Sequence, residues 1–209
     1  MSTKLNKRYQ IIFTRELAMA RFATLQVMKP KPFSVWEVLF PVFFILGFMR
    51  VKKQRELFTQ NLMFTKKLAM GAALDMIENN LSKSGILTRI DSKTKTIIAK
   101  VDNGIYSEEI RQSQMDEIDL LIDHFHRLLK VDGEDYPTLI INTYKTKTDF
   151  NSFTNKLKDA EKQVISATDK TLEGKTDTIT LTKIEYAINS IRQKEANEIF
   201  GVDQAQDVK

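Results

Sequence analysis

The sequence predicts a mainly α protein: a helical bundle with a short hydrophobic membrane segment, and either a small β-hairpin or an irregular helix in one connector. The chain of 209 residues contains only 7 glycines and 4 prolines, which favours long helices over a turn-rich β-fold. Apolar residues recur at spacings of three and four along several stretches, as on one face of a helix. Residues 33–49 differ, because they form an almost uncharged run rich in phenylalanine.

The composition is that of a folded protein. Hydrophobic residues make up 42% and charged residues 28%, a balance that argues against wholesale disorder. Cysteine is absent, which excludes disulfides, thiolate zinc sites and a cysteine nucleophile, and which fits a reducing compartment. The first 30 residues are charged and amphipathic and do not resemble a secretory signal, so we expect them to be retained.

Positive charge is concentrated in the first third of the chain. Residues 1–67 carry 13 Lys and Arg against three acidic residues, whereas the remainder carries 19 against 24. The basic excess therefore surrounds residues 33–49. Such an asymmetry indicates that one end faces a polyanionic surface, either anionic lipid or nucleic acid.

Prolines, glycines and apolar stripes divide the chain into six predicted segments. They are a basic amphipathic N-terminal helix at 1–32, the hydrophobic segment at 33–49, a long connecting helix at 50–82, a connector at 83–106, a helical domain at 107–201 and a flexible tail at 202–209.

The N-terminal helix is predicted from Tyr9, Phe13 and Leu17, which follow one another at helical spacing. Pro30 and Pro32 end it, since proline disfavours helical backbone in the residue before it. The connecting helix contains no proline from residue 50 to residue 80. Its predicted seam consists of Phe58, Leu62, Thr65, Ala69, Ala72 and Met76.

The connector is the least regular segment. The sequence LSKSG places Gly85 where a glycine commonly ends a helix. Two β-branched runs then flank DSKTK within residues 86–101, and DNG follows as a second turn signal. These features favour a β-hairpin, with an irregular helical continuation as the alternative.

The helical domain has the clearest pattern. Ser107 is a predicted N-cap for a helix over 107–130, whose apolar face consists of Ile118, Leu121, Ile122, Phe125, Leu128 and Leu129. A short helix is predicted at YPTLIINTYK and a longer one over 148–168. For the last helix, a capping box from Thr182 to Glu185 marks the beginning and Gly201 the end.

Residues 33–49 allow three interpretations. As a straight helix they would span about 25 Å, which is short of a bilayer core of roughly 30 Å but compatible with a single thinned span. A re-entrant or monotopic hairpin is favoured, because Pro41 lies near the midpoint and basic residues stand on both flanks. A buried core helix is the third interpretation. Six Phe or Trp among 17 residues are many for such a helix.

The membrane hypothesis assigns two groups of residues. The side chains predicted to insert into lipid are Phe33, Trp36, Phe40, Pro41, Phe43, Phe44 and Phe48. The cations predicted to bind anionic headgroups are Lys29, Lys31, Arg50, Lys52, Lys53 and Arg55.

Catalytic and metal chemistry find little support in the sequence. Asp119, Asp123 and His126 share one helix face and could meet a metal, but the only other histidine, His124, cannot supply the second pair that a di-metal bundle needs. No phosphate-binding loop or nucleophile elbow is complete. We therefore predict no cofactor and no enzymatic activity.

The stretches PFSVWEVLFPVFF and DEIDLLIDHFHRLLKVDGEDYPTLI resemble a group of uncharacterised small bacterial proteins that are helical and membrane-associated. The resemblance rests on hydrophobic patterns and implies no activity, so no functional residue is carried over from it.

The sequence thus predicts a non-enzymatic helical protein that is attached to the cytoplasmic face of a membrane with anionic lipids. Its helical region would serve as an interaction or assembly platform, binding protein partners or associating with itself. The alternatives are a soluble basic protein that binds nucleic acid, with Lys4, Lys7, Arg8, Arg15 and Arg21 as the phosphate track, and a helical metalloprotein.

Overall fold

The computed structural model describes residues 3–27, 51–98, 107–171 and 178–201, and within these ranges the chain forms helices and no strand. The prediction of a mainly α helical bundle is confirmed. The helices are α1 (Thr3–Val27), α2 (Val51–Leu62), α3 (Phe64–Glu78), α4 (Lys83–Ile98), α5 (Glu108–Lys130), α6 (Tyr136–Tyr144), α7 (Lys147–Thr171) and α8 (Thr178–Phe200).

Helix α5 lies at the centre of the bundle and contacts α1, α3, α4, α6 and α7. The apolar face predicted for it is buried in full, because every residue of that stripe lies in the core. Ser107 caps the helix as predicted: its Oγ accepts a hydrogen bond from the backbone N–H of Ile110 at 3.2 Å. At the far end of the bundle Gly201 ends α8 with φ +78°, the left-handed conformation that glycine adopts most easily.

The predicted β-hairpin is wrong. Residues 83–98 form α4 instead, and residues 99–106 lie outside the described ranges. Ile86 and Ile90 are four residues apart and both are buried, so the β-branched residues of this segment serve as the core face of a helix. Ser82 Oγ caps the helix by accepting from the N–H of Gly85 at 3.2 Å, so this glycine stands in the first turn of α4 and ends no helix.

The predicted long connecting helix is interrupted at Met63. Helix α2 ends at Leu62 and α3 begins at Phe64, while the Met63 side chain is fully buried. The seam continues across the break, since Phe58, Thr65 and Ala69 are all buried. The segment ends at Asn80, whose φ of 50° turns the chain toward α4.

The predicted start of the last helix is also wrong. Helix α8 begins at Thr178, so the capping-box pattern from Thr182 to Glu185 lies inside the helix. A sequence pattern for capping works only where the preceding residue leaves helical backbone, and here the helix extends a further turn.

Helices α1 and α2 run antiparallel, and contacts along α1 establish this direction. Glu16 contacts Lys66 of α3, whereas Thr24, two turns further along α1, contacts Thr59 of α2. The two threonine hydroxyls are 3.0 Å apart. As residue numbers rise along α1, the numbers of the residues that it contacts in α2 and α3 therefore fall, which is the antiparallel direction. Val27 and Val51, which flank residues 28–50, lie toward the same end of the bundle.

Candidate functional site

The residues predicted to act at a membrane lie mostly outside the described ranges. This holds for all seven insertion residues and for Lys29, Lys31 and Arg50. Lys52 and Lys53 belong to the first turn of α2, and the Arg55 side chain that follows is half-buried. None of the helices in the described ranges is long and apolar enough to cross a bilayer.

The end of the bundle at which α1 stops exposes apolar side chains. Phe22 is 51% exposed and Leu25 is 57% exposed, and with a spacing of three they lie on one face of α1. Arg21 beside them is exposed as well. Singly exposed apolar residues are ordinary, but this pair lies close to Val27, where α1 ends and the chain continues toward the hydrophobic segment. We call Arg21, Phe22 and Leu25 the α1 tip.

The interior of the bundle holds buried ion pairs that join distant parts of the chain. Glu16 of α1 contacts Lys66 of α3, and both side chains are largely shielded from water. Burial by itself would raise the pKa of Glu16, but the neighbouring Lys66 ammonium and its hydrogen bond outweigh burial, so this pKa is lowered. The carboxylate is therefore charged inside the bundle.

Two further pairs attach α8 to its neighbours. The guanidinium of Arg192 donates two hydrogen bonds of 2.6 Å each to the carboxylate of Glu161 on α7. Arg15 of α1 donates a 2.6 Å bond to Glu195. Paired, hydrogen-bonded charges are the form in which ionised groups are tolerated in a protein interior. These contacts therefore fix how α8 sits against α1 and α7.

Glu117 of α5 is the exception among the buried acids. Its Oε1 accepts a 3.0 Å hydrogen bond from Thr65 Oγ1, and no cation forms a direct ion pair with it among the described residues. Burial, helped by the negative charge of Glu161, raises the pKa of Glu117 to about 7. This group titrates near neutrality.

His124 is a structural residue of the core. Its Nδ1 is 2.7 Å from the hydroxyl of Tyr144, and its ring stacks on Phe153 with centroids 4.3 Å apart. Burial lowers the pKa of His124 to about 3, so the imidazole is neutral at physiological pH. The cluster joins α5, α6 and α7.

Asp119 and Asp123, two of the side chains considered as metal ligands, form ion pairs with a lysine. Lys83 Nζ lies 2.7 Å from Asp119 and 2.8 Å from Asp123. His126 takes no part in this contact and is half-buried on α5. Among the described residues no group of three His, Cys, Asp or Glu side chains could hold a metal ion.

The concave features of the bundle differ in size and chemistry. A cavity of about 20 Å³ lies beside Glu16, His124 and Arg192, and it has room for about one water molecule. A groove of about 290 Å³ runs between α3 and α4 and is lined mainly by apolar atoms. A second groove of about 320 Å³ lies between α5 and α7, beside Arg127 and Lys156.

No protein family, curated protein or solved structure matches this chain. The resemblance to uncharacterised bacterial membrane-associated proteins stays a prediction, as does the absence of enzymatic activity.

Sequence reasoning missed the buried ion pairs and the α3–α4 groove. Glu16 did leave a signal, because it stands one turn from Ile12 and one turn from Ala20, both on the buried face of α1. The groove left none, since it exists only if residues 83–98 are helical.

Proposed function

We propose that the protein is attached to the cytoplasmic face of a membrane through residues 33–49, and that its helical bundle acts there as a non-enzymatic interaction or assembly platform. In this proposal the apolar segment enters the bilayer and returns to the same side. Anionic headgroups bind the cations that flank it.

The antiparallel packing of α1 and α2 is the observation that carries the proposal. A single span between these helices would leave α1 and α2 on opposite sides of the bilayer. Their contact at Thr24 and Thr59, together with the ion pair between Glu16 and Lys66, requires them to be on one side. The packing therefore supports a re-entrant attachment over a single span.

The α1 tip adds a second argument. Phe22 and Leu25 are exposed near the end of α1, the helix that precedes the hydrophobic segment, next to the exposed cation Arg21. Aromatic and aliphatic side chains beside a cation suit the interface of an anionic membrane. Their position supports this end of the bundle as the one that faces lipid.

The predicted phosphate track gives less support to nucleic-acid binding. Three of its five cations are already engaged within the bundle. Lys7 contacts Glu134, Arg8 donates to the backbone carbonyl groups of Leu129 and Val131, and Arg15 pairs with Glu195. A nucleic acid would have to compete for these groups.

Vesicle flotation tests the proposal. The full-length protein is expected to float with vesicles that contain phosphatidylserine and to resist a carbonate wash. The triple variant Phe40→Asp/Phe43→Asp/Phe44→Asp is expected to remain in the soluble fraction, because charged side chains cost several kcal/mol each in a bilayer. Ile141→Asp is the matched control, since Ile141 is an exposed apolar residue of α6 and belongs neither to the hydrophobic segment nor to the α1 tip. Unchanged flotation of the triple variant would contradict the proposal.

A further inference from the structure

The groove between α3 and α4 is an apolar surface that no other described helix covers. Its floor consists of Phe64, Leu68 and Ala72 from α3 with Ile86 and Ile90 from α4. Ile86 and Ile90 are buried and belong to the core cluster, whereas Lys67 and Lys93 beside the groove are exposed. A groove of about 290 Å³ approaches the size of a small ligand pocket.

Gly71 keeps this groove open at its middle. A Cβ atom added at this position would meet no other atom within 4 Å. Glycine inside a helix costs about 1 kcal/mol relative to alanine, and here no close backbone approach among the described residues requires it. The space above Gly71 can therefore receive a side chain from another molecule.

The rim of the groove is positively charged. Lys67 and Lys93 are exposed, and no carboxylate among the described residues forms an ion pair with either of them. The Lys67 ammonium donates a 2.6 Å hydrogen bond to the neutral side chain of Gln60. Arg89 is neutralised by Asp75 at 2.8 Å. Within the part of the chain that the structure describes, Lys67 and Lys93 thus remain for an anionic partner.

We propose that this groove binds an acidic amphipathic helix of a partner protein. The floor extends from Phe64 to Asp75, which corresponds to about 16 Å or three turns along α3. That length suits a helix that inserts apolar side chains at i, i+3 or i+4, and i+7. Acidic residues beside those anchors would meet Lys67 and Lys93.

Two other occupants fit the groove less well. A second copy of the chain in a symmetric contact would bring the same positively charged rims together, which is electrostatically unfavourable. An acyl chain would stay exposed along the open side, whereas ligand pockets bury most of their ligand. The inference deepens the proposed role as an assembly platform and rests on it, but it does not depend on membrane attachment.

A pair of synthetic helical peptides tests the inference with the full-length protein in the absence of vesicles. Both peptides have 18 residues, and their leucines follow one another at alternating spacings of three and four. The remaining positions are glutamate in one peptide and lysine in the other. Fluorescence anisotropy is expected to detect binding of the glutamate peptide and at least about tenfold weaker binding of the lysine peptide. Equal binding of the two, or none, would overturn the proposal.

The variant Gly71→Leu separates binding from folding. Leucine fills the groove and favours helix more than glycine does, so thermal stability is expected to be equal or higher. Binding of the glutamate peptide is expected to fall at least about tenfold. Flotation with anionic vesicles is expected to stay unchanged, which keeps this test distinct from that of the proposed function. Unchanged peptide affinity would overturn the docking site.

Charge reversal tests the rim. Lys67→Glu/Lys93→Glu is expected to invert the preference toward the lysine peptide, whereas Lys130→Glu/Lys145→Glu, at exposed positions away from the groove, is expected to leave it unchanged. Sedimentation velocity tests whether a second copy of the chain occupies the groove. A dimer that dissociates in Gly71→Leu would identify a second copy as the occupant and would overturn the acidic partner helix.

Discussion

Glu16 and Lys66 face each other inside the bundle, where each charge depends on the other. Both side chains are largely shielded from water, so removal of one leaves its partner charged and unpaired. Glu16→Gln is expected to lower the free energy of unfolding by about 3–5 kcal/mol, as measured by urea denaturation. In Glu16→Gln/Lys66→Met neither charge remains, and much of that loss is expected to be recovered.

The exposed pair of Lys7 and Glu134 is the matched control for this prediction. Their side chains are 58% and 83% exposed, so water screens the interaction. Glu134→Gln is expected to change stability by about 1 kcal/mol or less. Similar losses in Glu16→Gln and Glu134→Gln would mean that the Glu16 pair is not buried as described.

Glu117 gives the bundle a dependence on pH near neutrality. Burial raises the pKa of this carboxyl from 4.5 to about 7 in the folded protein, so between these values the folded state binds more protons than the unfolded state. The contribution of Glu117 to stability is therefore complete below pH 4.5 and is lost as the pH rises toward 7.

The variant Glu117→Gln is expected to remove that slope. A glutamine side chain can still accept the hydrogen bond from Thr65 and carries no proton to lose. Stability is measured by urea denaturation at several pH values between 4.5 and 8. The difference between the variant and the native protein is expected to shift in favour of the variant as the pH rises. A difference that does not change with pH would contradict a raised pKa.

Among the helices, α5 could be predicted almost completely, whereas for α4 the sequence favours a β-hairpin and offers a helix only as the alternative. Helix α5 has an N-cap, acidic residues in its first turn and a continuous apolar face, so local and tertiary preferences agree. In α4 the β-branched residues favour a strand locally. Burial of Ile86 and Ile90 in the bundle outweighs that preference, and this burial depends on partners distant in sequence.

The interruption at Met63 and the partners within the buried ion pairs could not be predicted, because neither leaves a local pattern in the sequence. A buried methionine between two helices has no turn signal, because neither glycine nor proline stands there. Arg192 and Glu195 look like ordinary charged positions of a surface helix until α1 and α7 supply their partners. Charge patterns alone could not reveal which ions meet inside the bundle.

We attribute the helical structure of residues 83–98 to the packing of α4 in the bundle. Shortening one of its buried side chains tests this. Ile86→Ala is expected to cost about 2–4 kcal/mol of unfolding free energy, since the side chain is buried and leaves a cavity. Thr88→Ala, at an exposed position of the same helix, is expected to cost about 1 kcal/mol or less. Equal effects, measured by chemical denaturation, would argue against a buried face on α4.

The whole molecule is a bundle in which the residues on either side of the hydrophobic segment emerge toward one end. The contacts inside the bundle therefore place the helix ends that flank residues 28–50 toward the same end, as the proposed attachment requires. The ion pair between Glu16 and Lys66 and the contact between Thr24 and Thr59 hold α1 against α3 and α2. The α1 tip lies at the end from which residues 28–50 begin. Membrane attachment then needs no separation of these helices.

A disulfide between α1 and α2 tests this account most directly. The chain has no cysteine, and the hydroxyl groups of Thr24 and Thr59 are 3.0 Å apart, so Thr24→Cys/Thr59→Cys introduces a single pair. The pair is expected to oxidise within one chain, and the oxidised protein is expected to float with anionic vesicles as well as the reduced protein does. Oxidised protein that loses vesicle binding and regains it on reduction would contradict attachment from one side.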